Sequence, residues 1–134
     1  MSTEFMDALY EWLETPVLEE QGMDAPLDEA IAEAKERFPF RNICVVKSWC
    51  RIDLAASPWV LEDLAARGQL PALLVASQII HDSLKRFSSG KGIRTSFLAV
   101  EVDGPFFITL NTVYVLLGSG CRRRMQYTSF CHLF

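Results

Sequence analysis

Apolar positions follow a helical rhythm over roughly the first forty residues and a strand rhythm over most of the rest. Phe5, Met6, Leu9, Trp12 and Leu13 recur at helical spacing, with Asp7, Glu11 and Glu14 between them. This predicts a helix over 3–14, capped by Ser2 or Thr3 and ended by Thr15-Pro16, because the residue before proline avoids helical angles. Residues 17–23 fit one helical turn closed by Gly22, although their pattern does not settle the state. A second helix is expected over 26–37. Leu27, Ala30, Ile31, Ala34 and Phe38 form its stripe, Asp24 can cap it, Pro26 fits its first turn and Pro39 stops it.

Strand signals then take over. Ile43, Val45, Val46 and Trp49 predict a strand over 42–52. Ser57-Pro58 predicts a short helix with Trp59, Leu61, Leu64 and Ala65, stopped at Gly68. Residues 73–81 read as a strand, 82–91 as a polar loop and 93–102 as an alternating strand. Asp103-Gly104 is a hairpin signal, followed by strands over 106–109 and 113–117. The fold class expected is α+β: N-terminal helices on a small antiparallel β-sheet or an SH3-like half-barrel. One domain is expected over 1–120, with acidic helices in 1–40 and a β-rich part in 42–118. Residues 121–134 read as a basic and aromatic tail whose packing the pattern leaves open.

Composition adds limits. With 134 residues, half of them apolar, one domain can bury a core without staples. No export signal or long apolar run is visible, so the expectation is a cytoplasmic protein that does not enter the membrane. Its four cysteines are then expected as reduced thiols.

Charge changes the picture more. The net charge of −4 hides a split. Residues 1–36 hold eleven acids and one base, whereas residues 37–134 hold six acids and twelve bases. Such asymmetry bears on partners rather than on fold.

Candidate chemistry is sparse. Cys44, Cys50, Cys121, Cys131, His81 and His132 lack the short spacing of zinc ligands. Cys44 and Cys50 would lie about 20 Å apart on one straight strand. No metal or cofactor is expected. Cys50 or Ser83 with His81 and Asp82 could supply a nucleophile and base, but His81 and Asp82 point to opposite faces of a strand. No catalytic residues are assigned.

From 43 to 118 the chain resembles a small family of uncharacterised proteins from pseudomonads and their prophages. The residues carrying the likeness are Lys47-Ser48-Trp49-Cys50-Arg51, His81-Asp82-Ser83, Arg86-Phe87, Arg94-Thr95-Ser96, Thr109 and Asn111 through Gly118. The resemblance implies no activity. It implies a mobile-element setting, in which small acidic proteins act by binding host proteins.

Three functional expectations follow. The first is a non-enzymatic interaction module, an inhibitor or accessory factor acting on a host protein through Glu29, Glu33 and Glu36. The second is a nucleic-acid-binding barrel using Lys85, Arg86, Lys91 and Arg94. The third is an enzyme with a site near Cys50, His81 and Asp82.

Overall fold

The long strand Asn42–Ala55 organises the molecule, because three other strands bond along its length. The structure is a computed structural model and describes residues 3–86, 92–102 and 104–134. In chain order the elements are α1 (Thr3–Glu14), β1 (Leu18–Gln21), α2 (Leu27–Arg37), β2 (Asn42–Ala55), α3 (Pro58–Ala66) and β3 (Ala72–Asp82). Then come β4 (Ile93–Arg94), β5 (Phe106–Ile108), β6 (Thr112–Leu116), β7 (Ser119–Gln126) and α4 (Tyr127–Leu133).

The α+β class holds, but the sheet is mixed, which corrects the antiparallel expectation. On one side β2 pairs antiparallel with β3. On its other side the first half of β2 pairs in parallel with β6 and the second half in parallel with β7. The neighbour changes around Ser48, whose φ is 52°, just after a bulge at Val45/Val46. Gly118, with φ 71°, lies between β6 and β7 at the matching level. Gly22 fits into this corner. A Cβ there would lie 2.2 Å from the Leu116 carbonyl oxygen, so only glycine can approach so closely.

Residues 17–23 contribute β1, which pairs antiparallel with β7, rather than a helical turn. The sheet supplies the backbone partners that a lone turn would lack. The expected 93–102 strand is regular only at Ile93–Arg94. Beyond it the segment changes partners: the Thr95 amide donates to Leu74 (2.9 Å) and the Leu98 amide to Ala72 (2.9 Å), whereas the Ala99 amide donates to Ile108 (2.7 Å). Thr95 and Leu98 are buried as a result, so simple alternation fails. The Asp103-Gly104 turn falls partly outside the described residues. One cap expectation also changes: Pro26, not Asp24, holds the position before α2, with no side-chain cap, and the Ser57 hydroxyl before α3 makes no hydrogen bond among the described residues.

Residues 121–134 are built into the fold. Most of β7 and all of α4 lie there, and α4 packs on α1. Trp12 meets Phe134 edge-on (5.3 Å), and Phe130 stacks on Phe134 (4.9 Å).

The Ser48 kink shifts the side-chain alternation of β2. Ile43 and Val45, beneath α2, therefore share a face with Cys50, Ile52 and Leu54, which belong to the cluster with Trp12 and Phe130. Helices α1, α2 and α4 cover this face. The other face holds Trp49, Leu74, Leu98 and Phe107. No helix among the described residues is long and apolar enough to cross a membrane.

Candidate interaction surface

Helix α2 buries Ala30 and Ala34 completely against the sheet. Glu29, Glu33 and Glu36 sit at i, i+4 and i+7, and all three are exposed. On α1, Glu4, Asp7 and Glu14 are exposed as well. Helix α2 lies over Ile43 and Val45, whereas α1 packs on α4 and reaches the sheet through Trp12. Among the described residues, the carboxylates of nine of the eleven acids before residue 37 make no hydrogen bond or ion pair. The exceptions are Glu11, which accepts from the Gln126 amide (3.3 Å), and Glu20, paired with Arg122 (3.5 Å).

The arginines behave in the opposite way. Arg37 lies 5.2 Å over the Phe106 ring, Arg41 donates to the Thr109 carbonyl (3.0 Å) and Arg67 pairs with Asp63. Arg123 lies 4.0 Å over Trp12 and donates to its carbonyl oxygen (2.7 Å). Arg51, Arg86, Arg94 and Arg122 are also engaged within the fold. Of the nine arginines, Arg124 alone has a guanidinium with neither a hydrogen bond, an ion pair nor a ring contact among the described residues.

This bears on the expected nucleic-acid residues. Lys85 is exposed, with φ 52°. Arg86 bonds to the buried Asp82 carboxylate through Nε and Nη2, both at 3.1 Å, and to Thr112 (3.2 Å). Arg94 donates to the Phe134 carbonyl (3.1 Å) and lies 5.7 Å over Phe130. Lys91 lies outside the described residues. Two of the four expected cations thus spend their donors on the fold.

A second cluster of charge, absent from the sequence expectations, lies on the sheet face away from α1. Parallel pairing sets Arg51 beside Arg122 and Asp53 beside Arg124. Glu101 accepts both terminal nitrogens of Arg51, each at 2.8 Å. Asp53 accepts from Arg51 (3.2 Å) and from Arg122, and Glu20 completes the chain. Burial disfavours the Arg51 charge, but bonding to Glu101 and Asp53 outweighs it and raises its pKa. The same bonding holds Glu101 below the ordinary carboxylate range. This network clamps β1, β7, β2 and the 101 segment. Next to it, a groove of about 550 Å³ is lined by Glu11, Thr15, Leu18, Asp53, Arg122 and Arg124, among others.

The expected Cys50, His81 and Asp82 constellation is not assembled. Cys50 pairs with Val75, whereas His81 pairs with Val45 near the other end of the β2/β3 ladder. Six residues separate Val75 from His81 on β3, about 20 Å along a strand. Asp82 is occupied by Arg86 and by the Leu84 and Arg86 amides. No group of three or more His, Cys, Asp or Glu residues among the described residues could hold a metal ion.

The missed charge network had a faint signal. Arg122 and Arg124 alternate with Cys121, Arg123 and Met125, a period of two, but no run of apolar residues marks a strand there. One comparison bears on ancestry: residues 21–132 match a family described as a domain of unknown function (DUF6957). No curated protein and no solved structure matches the chain.

Proposed function

Because the chain belongs to the DUF6957 family, whose function is unknown, we propose a role read from the chain's own surface: a non-enzymatic protein-interaction module that presents its acidic α1/α2 side to a basic partner protein. Glu29, Glu33 and Glu36 form the middle of that surface. The mobile-element resemblance points to a host protein as partner and to an inhibitor or accessory role.

One observation carries this reading. Eight of the nine arginines of the basic half are engaged by carboxylates, carbonyls or rings of the fold, although six of the nine are still exposed, whereas most carboxylates of the acidic half face water without a partner among the described residues. The molecule therefore offers an outside solution more uncommitted negative charge than its sequence halves suggest. Such a face steers association with an oppositely charged surface and selects against acidic ones. A nucleic acid would meet that negative side with few uncommitted cations to offset it.

The test is capture from a nuclease-treated host lysate with the tagged full chain, beside the triple variant Glu29→Lys, Glu33→Lys, Glu36→Lys. The expected result is a stoichiometric basic protein that survives nuclease and is released by salt. The triple variant, checked for helix content by circular dichroism, should bind it at least about tenfold more weakly, about 1.4 kcal/mol. Undiminished binding by a folded triple variant would refute the assignment of these glutamates. Capture that disappears with nuclease would refute the protein-partner reading.

A further inference from the structure

We propose that Cys50 and Cys121 are a dithiol–disulfide pair, a modification site at which oxidation ties β7 to β2. The two residues stand directly opposite each other in the parallel β2/β7 ladder. Opposed residues of adjacent strands project to the same face, with strands about 4.8 Å apart. A disulfide spans Cα atoms about 4.4–6.8 Å apart, so the backbone already sits within reach. Both side chains lie in the cluster beneath α1 and α4, Cys50 buried within it and Cys121 packed against it.

The other two cysteines are placed differently. Cys44 is fully buried on the opposite side of β2, among Val46, Trp49 and Tyr114. Cys131 is exposed on α4. Only Cys50 and Cys121 share a register position.

Their unequal burial sets the order of events. Cys50 is buried, whereas Cys121 is partly open. Burial, together with the neighbouring Cys121 thiol, pushes the Cys50 thiol far above its ordinary pKa; the Arg123 guanidinium acts in the opposite direction. Cys121 is therefore the entry point for a small disulfide oxidant. Its thiolate attacks one sulfur of the oxidant, forming a mixed disulfide and expelling one thiolate. Cys50 then loses its proton and attacks Sγ of Cys121, forming the Cys50–Cys121 bond and expelling the second thiolate. The two protons lost by the cysteines end on the two released thiols. The pair is oxidised by two electrons and the small disulfide is reduced.

The bond would close a loop of roughly seventy residues and stiffen the attachment of β7, which carries Arg122, Arg123 and α4. The pairing is independent of the acidic surface, so either proposal can fail alone.

The test uses the full chain carrying Cys131→Ser, which removes the exposed thiol as a route to cross-linked dimers. The reduced protein is incubated with oxidised glutathione under native conditions, then unfolded, alkylated and peptide-mapped. The expected product is a monomer that has lost two hydrogen atoms, contains a linked Cys50–Cys121 peptide and reverts with dithiothreitol. Its denaturation midpoint should rise on oxidation. Cys121→Ala, at the partly open position, and Cys50→Ala should each abolish the linked peptide, leaving at most a glutathione adduct. Three alkylatable thiols after oxidant exposure would overturn the proposal. So would a stable adduct at Cys121 with Cys50 still free, or a linked peptide involving Cys44.

Discussion

Replacing Asp82 by asparagine removes one negative charge at the end of β3 while nearly preserving side-chain shape. The Asp82 side chain is only 1% exposed. Its oxygens accept from Arg86 Nε and Nη2, from the Arg86 amide (2.9 Å) and from the Leu84 amide (3.4 Å). Asparagine keeps one acceptor and turns an amide donor toward other donors. A hydrogen bond to a charged group contributes about 1.5–3 kcal/mol net, and breaking a fully buried pair costs about 3–5 kcal/mol. The Arg86 side chain is 31% exposed, so water recovers part of its loss. The expected destabilisation is about 2–3 kcal/mol at pH 7, read as a lower urea midpoint with unchanged slope. Burial pushes the Asp82 pKa up, but the Arg86 side chain and the two amides outweigh it, so the folded value lies below the ordinary 3.8. The unfolded chain therefore takes up this proton first as pH falls. Asp82 contributes its full stability above the ordinary value and loses it as pH drops through the depressed one. The gap between wild type and Asp82→Asn should close in that range. A loss below about 0.5 kcal/mol at pH 7, or a gap that stays constant down to pH 2, would refute this account.

Three other substitutions probe the packing. Gly120→Ala would place a Cβ 2.3 Å from two Trp49 ring carbons, and Trp49 is 2% exposed; a loss of about 1–3 kcal/mol and an altered near-ultraviolet dichroism are expected. Phe107→Ala empties a fully buried site and should cost about 3–5 kcal/mol in chemical denaturation. Arg123→Lys keeps the charge but loses the guanidinium that lies 4.0 Å over the Trp12 ring and donates to the Trp12 carbonyl. Faster amide exchange in α1 and about 0.5–1 kcal/mol of lost stability are expected, and unchanged exchange would count against this contact as an anchor.

The three expected helices were legible because their signals are local. The stripe around Ala30 and Ala34 and the Ser57-Pro58 start act over one or two turns. The outward acids of α2 follow from the same periodicity, so the exposure of Glu29, Glu33 and Glu36 could be read directly. The basic candidates were a different matter. Whether the donors of Arg86 and Arg94 are engaged depends on Asp82 and on the carbonyl of Phe134, and no helical or strand period reports that. The expected thiol, imidazole and carboxylate grouping failed for a related reason: register, not proximity in sequence, decides which strand residues meet.

By itself, the sequence determined an α+β chain with acidic N-terminal helices and a reservoir of arginines after them. Local turns, proline stops and apolar periodicity suffice for that, because each acts within a few residues. Tertiary structure alone decided that β2 would serve β6 and β7 in succession, that three arginines in a row could lie in a strand, and that Cys50 would face Cys121. Those outcomes depend on backbone groups and charges about seventy residues apart finding each other. Arg122 is accommodated in β7 because Asp53 and Glu20 wait beside it, and Arg123 because Trp12 covers it.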